Sequence, residues 1–167
     1  MSRAVLSAGS NVGDSRRHLA SVAAALGERA VAVSSVYITP PWGPVAQDDF
    51  VNQVIIAEGE LTPRDWLEFC RCCERAADRV RVERWGPRTL DVDVVTVEAD
   101  GAAVRSDDPE LTLPHPRAAV RAFVLVPWLE VDPEASLWTP GGTRRIAELL
   151  DELDPAERAG VRRAAAS

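Results

Sequence analysis

Val51-Asn52-Gln53-Val54-Ile55-Ile56-Ala57-Glu58, followed closely by Thr62-Pro63-Arg64-Asp65-Trp66, is the passage whose reading decides the fold. The first run is rich in β-branched residues and ends at a glycine, the pattern of a strand. In the second, Thr62 is suited to cap a helix and Pro63 to take the first helical position, where its missing N–H is no loss. Trp66, Cys70, Cys73, Ala77 and Val80 then recur at three- and four-residue spacing, an apolar stripe on one helical face. After that helix, residues 90–97 return to a strand. Upstream, residues 3–8 read as a short strand and residues 9–14 as a turn cluster, with Asp14 or Asn11 as cap for a helix running to about Gly27. That helix would bury Leu19, Val22, Ala23 and Leu26. Residues 30–39 are β-rich, and Pro40, Pro41, Gly43 and Pro44 mark residues 40–49 as a loop.

The order strand–helix–strand–strand–helix–strand is that of an α+β, ferredoxin-like βαββαβ core, an antiparallel sheet with helices on one face. The other face then needs a cover or a ligand. Candidates are the two long loops and a C-terminal extension: residues 111–116, an apolar run at 122–129 and a short helix near 144–153. A single domain over residues 1–154 is expected, with 155–167 a frayed or weakly helical tail.

The chain has 167 residues, 46% of them hydrophobic and 27% charged. A chain of this length buries roughly two-thirds of its unfolded surface and needs no staples. No run approaches the ~18 apolar residues of a membrane span, and the first residues lack a leader's apolar stretch, so a cytoplasmic protein is expected. The net charge of −7 argues against nucleic acid as a partner, so an anion site must be a local gathering of arginine. All 19 basic residues are arginine, which excludes a lysine nucleophile or Schiff base. Cys70, Cys72 and Cys73 are too bunched for a disulfide framework and read as reduced thiols on the second helix.

Two constellations carry chemistry. In Asp91-Val92-Asp93, alternation along a strand puts both carboxylates on one face, roughly 6.5 Å apart. Paired acids repel unless a cation lies between them, and oxygen-only ligands suit magnesium. Just before them Arg79, Arg81, Arg84 and Arg88, offset only by Glu83, give a local charge of +3. Guanidinium forks bind phosphate oxygens and stabilise charge developing on them. Acids for a cation running directly into arginines for an anion favour phosphate chemistry over a solvated turn. Trp42, Phe50 and Phe123 could stack on a flat heterocycle, and Asn52 could read its edge, although each taken singly also reads as core. Pro114-His115-Pro116 with Arg121 reads equally as a ligand contact and as a simple turn.

Read together, these segments resemble the hydroxymethyldihydropterin pyrophosphokinase family of folate biosynthesis. The resemblance runs through residues 4–132. It lies in Gly9-Ser10-Asn11-Val12-Gly13-Asp14, Ser34-Ser35-Val36-Tyr37, Thr39-Pro40-Pro41-Trp42-Gly43-Pro44 and Gln47-Asp48-Asp49-Phe50-Val51-Asn52. It is most specific in Arg84-Trp85-Gly86-Pro87-Arg88-Thr89-Leu90-Asp91-Val92-Asp93, and it closes with Leu111 to Arg117 and Arg121 to Leu125. It implies attack of a pterin hydroxymethyl oxygen on the β-phosphorus of ATP, with AMP leaving. It implies two magnesium ions on Asp91 and Asp93, and Arg79 and Arg88 as the catalytic arginines. Glu74, Arg81, Arg84, Trp85, His115 and Arg121 fall at nucleotide positions. Phe50 and Phe123 would sandwich the pterin, whose edge Asn52 and the backbone of Thr39, Pro40, Pro41 and Trp42 would read. The implied partners are ATP and the pterin, without nucleic acid or membrane, and the chain is expected to be a monomer.

Overall fold

The computed structural model describes residues 1–40, 48–78 and 89–164. Its frame is one antiparallel sheet built around β1 (Ser2–Ser10). β4 (Phe50–Gly59) and β5 (Asp91–Ala99) pair with β1 on either side, both antiparallel. Beyond β4 lie β2 (Ala30–Val33), on the half of β4 near its C-terminus, and β3 (Tyr37–Thr39), on the half near its N-terminus. β6 (Ala102–Ala103) extends the far side of β5. β1 is longer than residues 3–8: Gly9 and Ser10, expected in a turn, continue its pairing.

Three layers result. One sheet face carries Ala4, Leu6, Ala8, Ile55, Val92 and Val94 against α1 (Ser15–Leu26) and α2 (Pro63–Asp78). α1 presents Leu19, Val22 and Leu26, and α2 presents Trp66, Cys70, Cys73 and Ala77, the stripe expected from spacing. Asp14 caps α1 by accepting from the Arg17 N–H. Thr62 and Asp65 cap α2 reciprocally: the Asp65 N–H donates to Thr62 Oγ1 and the Thr62 N–H to Asp65 Oδ2. The indole N–H of the fully buried Trp66 is satisfied by Ser2 Oγ at 2.8 Å.

The C-terminal segment covers the opposite face, so helices lie on both sides of the sheet rather than one. After the hairpin of β7 (Ser106–Asp108) and β8 (Leu111–Leu113) comes α3 (Ala122–Val131). A second hairpin, β9 (Ser136–Thr139) with β10 (Gly142–Arg145), leads into α4 (Ile146–Asp151). Leu125, Trp128, Ile146 and Leu149 pack on Val5, Val54, Ile56 and Val95. Among the described residues no helix is long and apolar enough to cross a membrane.

Residues 155–164, expected to be frayed or weakly helical, form a short helix and a strand. α5 (Pro155–Ala159) is capped by Asp154, and β11 (Arg162–Arg163) pairs antiparallel with β3. Glu130, near the end of α3, anchors this corner. It accepts from the Ser35 N–H, from the Tyr37 hydroxyl at 2.7 Å and from the Arg163 guanidinium. Burial opposes its ionisation, but these three donors outweigh burial and hold its pKa at about 2.

The folded-state pKa lies below the ordinary glutamate value near 4.5, so the stabilisation is complete above that pH and is lost as pH falls toward 2. Wild-type Tm should therefore drop more steeply between pH 5 and pH 3 than that of Glu130→Gln, which cannot titrate. Parallel slopes in a pH series of thermal melts would contradict this network.

Candidate active site

The strand register assembles the site. Gly9 stands opposite Asn52 on β4 and opposite Asp91 on β5, so Asn52, Gly9 and Asp91 form one row across three strands. The next row is Val54, Ser7 and Asp93. Residues directly opposite share a face and alternate residues repeat it, so Asn52, Asp91 and Asp93 all look out on the α3 side. Tyr37 faces Asn52 and Thr39 faces Phe50 in the same way.

Asn52 is buried, and its amide donates to Thr39 Oγ1 at 3.0 Å. It fits only because residue 9 has no side chain: a Cβ there would stand 2.9 Å from Asn52 Oδ1. Phe50 is half-buried at the start of β4. Phe123, also half-buried, lies in the first turn of α3 with the Arg121 guanidinium 5.4 Å from its ring centre.

On β5, Asp91 is exposed and Asp93 half-buried. Glu74 of α2 accepts from the Val92 N–H at 3.0 Å, fixing the peptide between the two aspartates. The same edge of β5 receives the His115 N–H on the Val95 carbonyl and the Val104 N–H on the Val97 carbonyl, each at 2.8 Å. Arg121 Nη1 comes within 3.9 Å of Asp93. His115 accepts the Arg117 N–H on Nδ1, which leaves Nε2 to carry the proton of the neutral ring. Burial pushes the His115 pKa down, Asp93 pulls it up, and the Arg121 and Arg117 guanidiniums lower it further, so the ring is neutral near pH 7.

The described part of the fold thus gathers Thr39, Asn52, Phe50, Phe123, Asp91, Asp93, Glu74, His115 and Arg121 around one end of the sheet. Pro40 is exposed just beyond β3. Pro41, Trp42, Arg79, Arg81, Arg84, Trp85 and Arg88 lie outside the described residues. Sequence reasoning missed Gly9, since a Gly-Ser-Asn run reads as a turn. It also passed over Ser10, whose hydroxyl donates to the Thr89 carbonyl and so ties β1 to the approach to β5.

Residues 5–133 match the sequence pattern of the family described as 7,8-dihydro-6-hydroxymethylpterin-pyrophosphokinase. Among curated proteins the chain is similar to the 2-amino-4-hydroxy-6-hydroxymethyldihydropteridine pyrophosphokinases of Mycobacterium tuberculosis and Mycobacterium leprae. It is 48% and 50% identical to them over 97% of its length, spanning 89% and 88% of theirs. The enzyme of that name from Methylorubrum extorquens is 45% identical over 93% of this chain and 96% of its own. Among solved structures the fold is similar to a Plasmodium falciparum HPPK-DHPS with pterin and p-hydrobenzoate, at a TM-score of 0.65 and 13% identity. That match takes in 97% of this chain but 47% of the Plasmodium one, so the chain spans about half the length of that structure. The chain belongs to the 7,8-dihydro-6-hydroxymethylpterin-pyrophosphokinase family.

Gly9→Ala should displace the Asn52 amide and lower unfolding stability by about 1–3 kcal/mol. With Asn52→Ala already in place, the new Cβ would meet only the Val51 carbonyl, at 3.8 Å. The penalty of the glycine substitution should then largely vanish in a urea-denaturation double-mutant cycle. Strict additivity would show that the two residues do not meet.

Proposed function

We propose that this sheet end performs the family's reaction, transfer of pyrophosphate from ATP to the hydroxymethyl group of 6-hydroxymethyl-7,8-dihydropterin in folate biosynthesis. The observation that carries the assignment of roles is the shared row: Asn52 and Asp91 flank Gly9 on one face. Two inter-strand spacings, about 10 Å, separate a residue suited to a heterocycle's edge from one suited to a cation.

In this reading the pterin lies between Phe50 and Phe123. Its edge is read by Asn52, whose amide Thr39 orients, and by the backbone of residues 39–42, Pro40, Pro41 and Trp42 included. The hydroxymethyl oxygen forms a bond to the β-phosphorus, the bond from that phosphorus to the bridging oxygen breaks, and AMP leaves with that oxygen. The hydroxyl proton passes to water. Little covalent work falls to the protein, and catalysis is positioning and charge stabilisation. Arg88 and Arg79 meet the charge on the transferring group, and Arg81, Arg84, Trp85, Glu74, His115 and Arg121 hold the nucleotide.

The residues fit magnesium. Among the described residues no group of three or more His, Cys, Asp or Glu is gathered as a closed metal cage. Two adjacent carboxylates, one exposed and one half-buried, are what an ion that keeps water and substrate phosphates as ligands requires. Asp91 and Asp93 would hold two such ions. Bound there, magnesium would neutralise phosphate oxygens. Glu74 keeps the strand between the two aspartates in place, and Arg121 holds Asp93 to one side.

The finer topology of this reading is a ferredoxin-like βαββαβ core formed by β1, α1, the β2–β3 segment, β4, α2 and β5. The catalytic domain runs from residue 1 to 154, with 155–164 packed against it. The reading takes the protein to be a cytoplasmic monomer.

Incubation with ATP, magnesium and the reduced hydroxymethylpterin should release one AMP per pterin consumed; release of ADP would assign a simple γ-phosphoryl kinase instead. Arg88→Ala should lower kcat by at least about a hundredfold with a small effect on KM, because its contact matters most in the transition state. Asp91→Asn and Asp93→Asn should abolish magnesium-dependent turnover.

A further inference from the structure

The C-terminal strap, residues 155–164, lies beyond residues 5–133, which match the family's sequence pattern, yet it closes on β3, which carries Thr39. β3 is only three residues long, and its inner edge pairs with Phe50, Val51 and Asn52 of β4. So short a strand is weakly defined when its outer edge is open. Here β11 fills that edge. Arg162 and Arg163 pair with Ile38 and Tyr37, and the Ala164 N–H donates to the Val36 carbonyl at 2.8 Å. Arg162 also approaches Asp49, at 3.9 Å, immediately before Phe50. A Cβ on Gly160 would stand 3.8 Å from Pro40 Cδ, so the turn before β11 rests where the segment after β3 begins.

Glu130 joins this strap to the other wall of the site. Phe123 and Glu130 are seven residues apart on α3, two helical turns, so they project from nearly the same face about 10 Å apart along the axis. Glu130 holds Ser35 and Tyr37, at the entry to β3, and Arg163 of the strap, while Phe123 lies near Arg121, which reaches toward Asp93. That carboxylate and its three donors tie the α3 wall to β3 and the strap, beside the apolar packing of Leu125 and Trp128 on Val54 and Ile56 of β4.

We propose that Glu130 and Arg163 are positioning residues for the pterin: through Tyr37 and the β11–β3 pairing they hold the Phe50–Asn52 edge at the separation from Phe123 that a flat ring needs. The proposal rests on the pterin reading of the site. It sharpens that reading by assigning a substrate-selective task to a segment far in sequence from the family's motifs.

The test uses the full chain and two measurements. One is fluorescence titration with the hydroxymethyldihydropterin in the presence of magnesium and a non-hydrolysable ATP analogue. The other is steady-state kinetics with each substrate varied in turn. Arg163→Ala should raise the pterin dissociation constant about three- to tenfold, the scale of one partly exposed charge-assisted hydrogen bond, and leave the KM for ATP within about twofold. Arg163→Lys should recover most of the loss. Glu130→Gln should shift pterin binding in the same direction; if that variant fails to fold, the exposed Arg163 carries the test alone. Unchanged pterin binding in Arg163→Ala, or an equal rise in KM for both substrates as general loosening would give, overturns the strap's role and leaves the site reading intact. Failure of the wild-type protein to bind the pterin overturns the site reading and the proposal with it.

Discussion

Everything at the site depends on one strand being paired without a slip on both sides. Side chains on a strand alternate with a period of two, so a shift of one residue between β1 and either neighbour would send Asn52, or both aspartates, to the opposite face. The apolar residues prevent that slip. Leu6 and Ala8 must reach α1 and α2 while Val5 reaches α3 and α4, and each is buried on its own side. A slip would expose both sets at once, at about 1.5–3 kcal/mol for each large side chain. The polar row at Gly9 is therefore held by hydrophobic burial farther along the same strands.

A bulge reconciles two demands on β5. Between its pairings with Val5 and Leu6 the register shifts, and Val95 is the extra residue. Before the bulge, Val92 and Val94 face the α1–α2 core, while Asp91, Asp93 and Val95 face the α3 side. Regular alternation would then turn Val97 toward α3, yet Val97 is buried with the α1–α2 core. The extra residue resets the phase, so one strand presents two acids at one end and seals the main core at the other.

Much of this was legible in the sequence because the signals are local and periodic. The stripe Trp66, Cys70, Cys73 and Ala77, the Thr62 cap and the alternation around Asp91 and Asp93 follow from helix and strand geometry. The βαββα order was legible for the same reason. What escaped depends on distant partners. Gly9-Ser10 has turn composition and is a strand only because β4 and β5 flank it. Arg162-Arg163 has no apolar pattern and becomes a strand only because β3 offers an open edge. Glu130 is one acid among many until Ser35, Tyr37 and Arg163 converge on it. The bulge leaves no compositional trace.

The charge layout follows from the same division of labour. A protein with net charge −7 repels a polyphosphate at long range, so attraction must be supplied at the site. On the described scaffold that end of the sheet holds Asp91 and Asp93 with Arg121 beside them, and a histidine that burial keeps neutral. The scaffold thus supplies acids and stacking surfaces, and comparatively little positive charge. Arg79, Arg81, Arg84 and Arg88 stand in the sequence between α2 and β5, the two elements that Glu74 joins through the Val92 amide. That bond acts where the strand bearing the acids meets the helix from which the arginine-rich segment departs. In the proposed reaction, tying the helix that precedes the arginine-rich sequence to the strand that carries the acids brings the two flanks of that sequence to one end of the sheet, and phosphoryl-type transfer draws most of its rate from positioning.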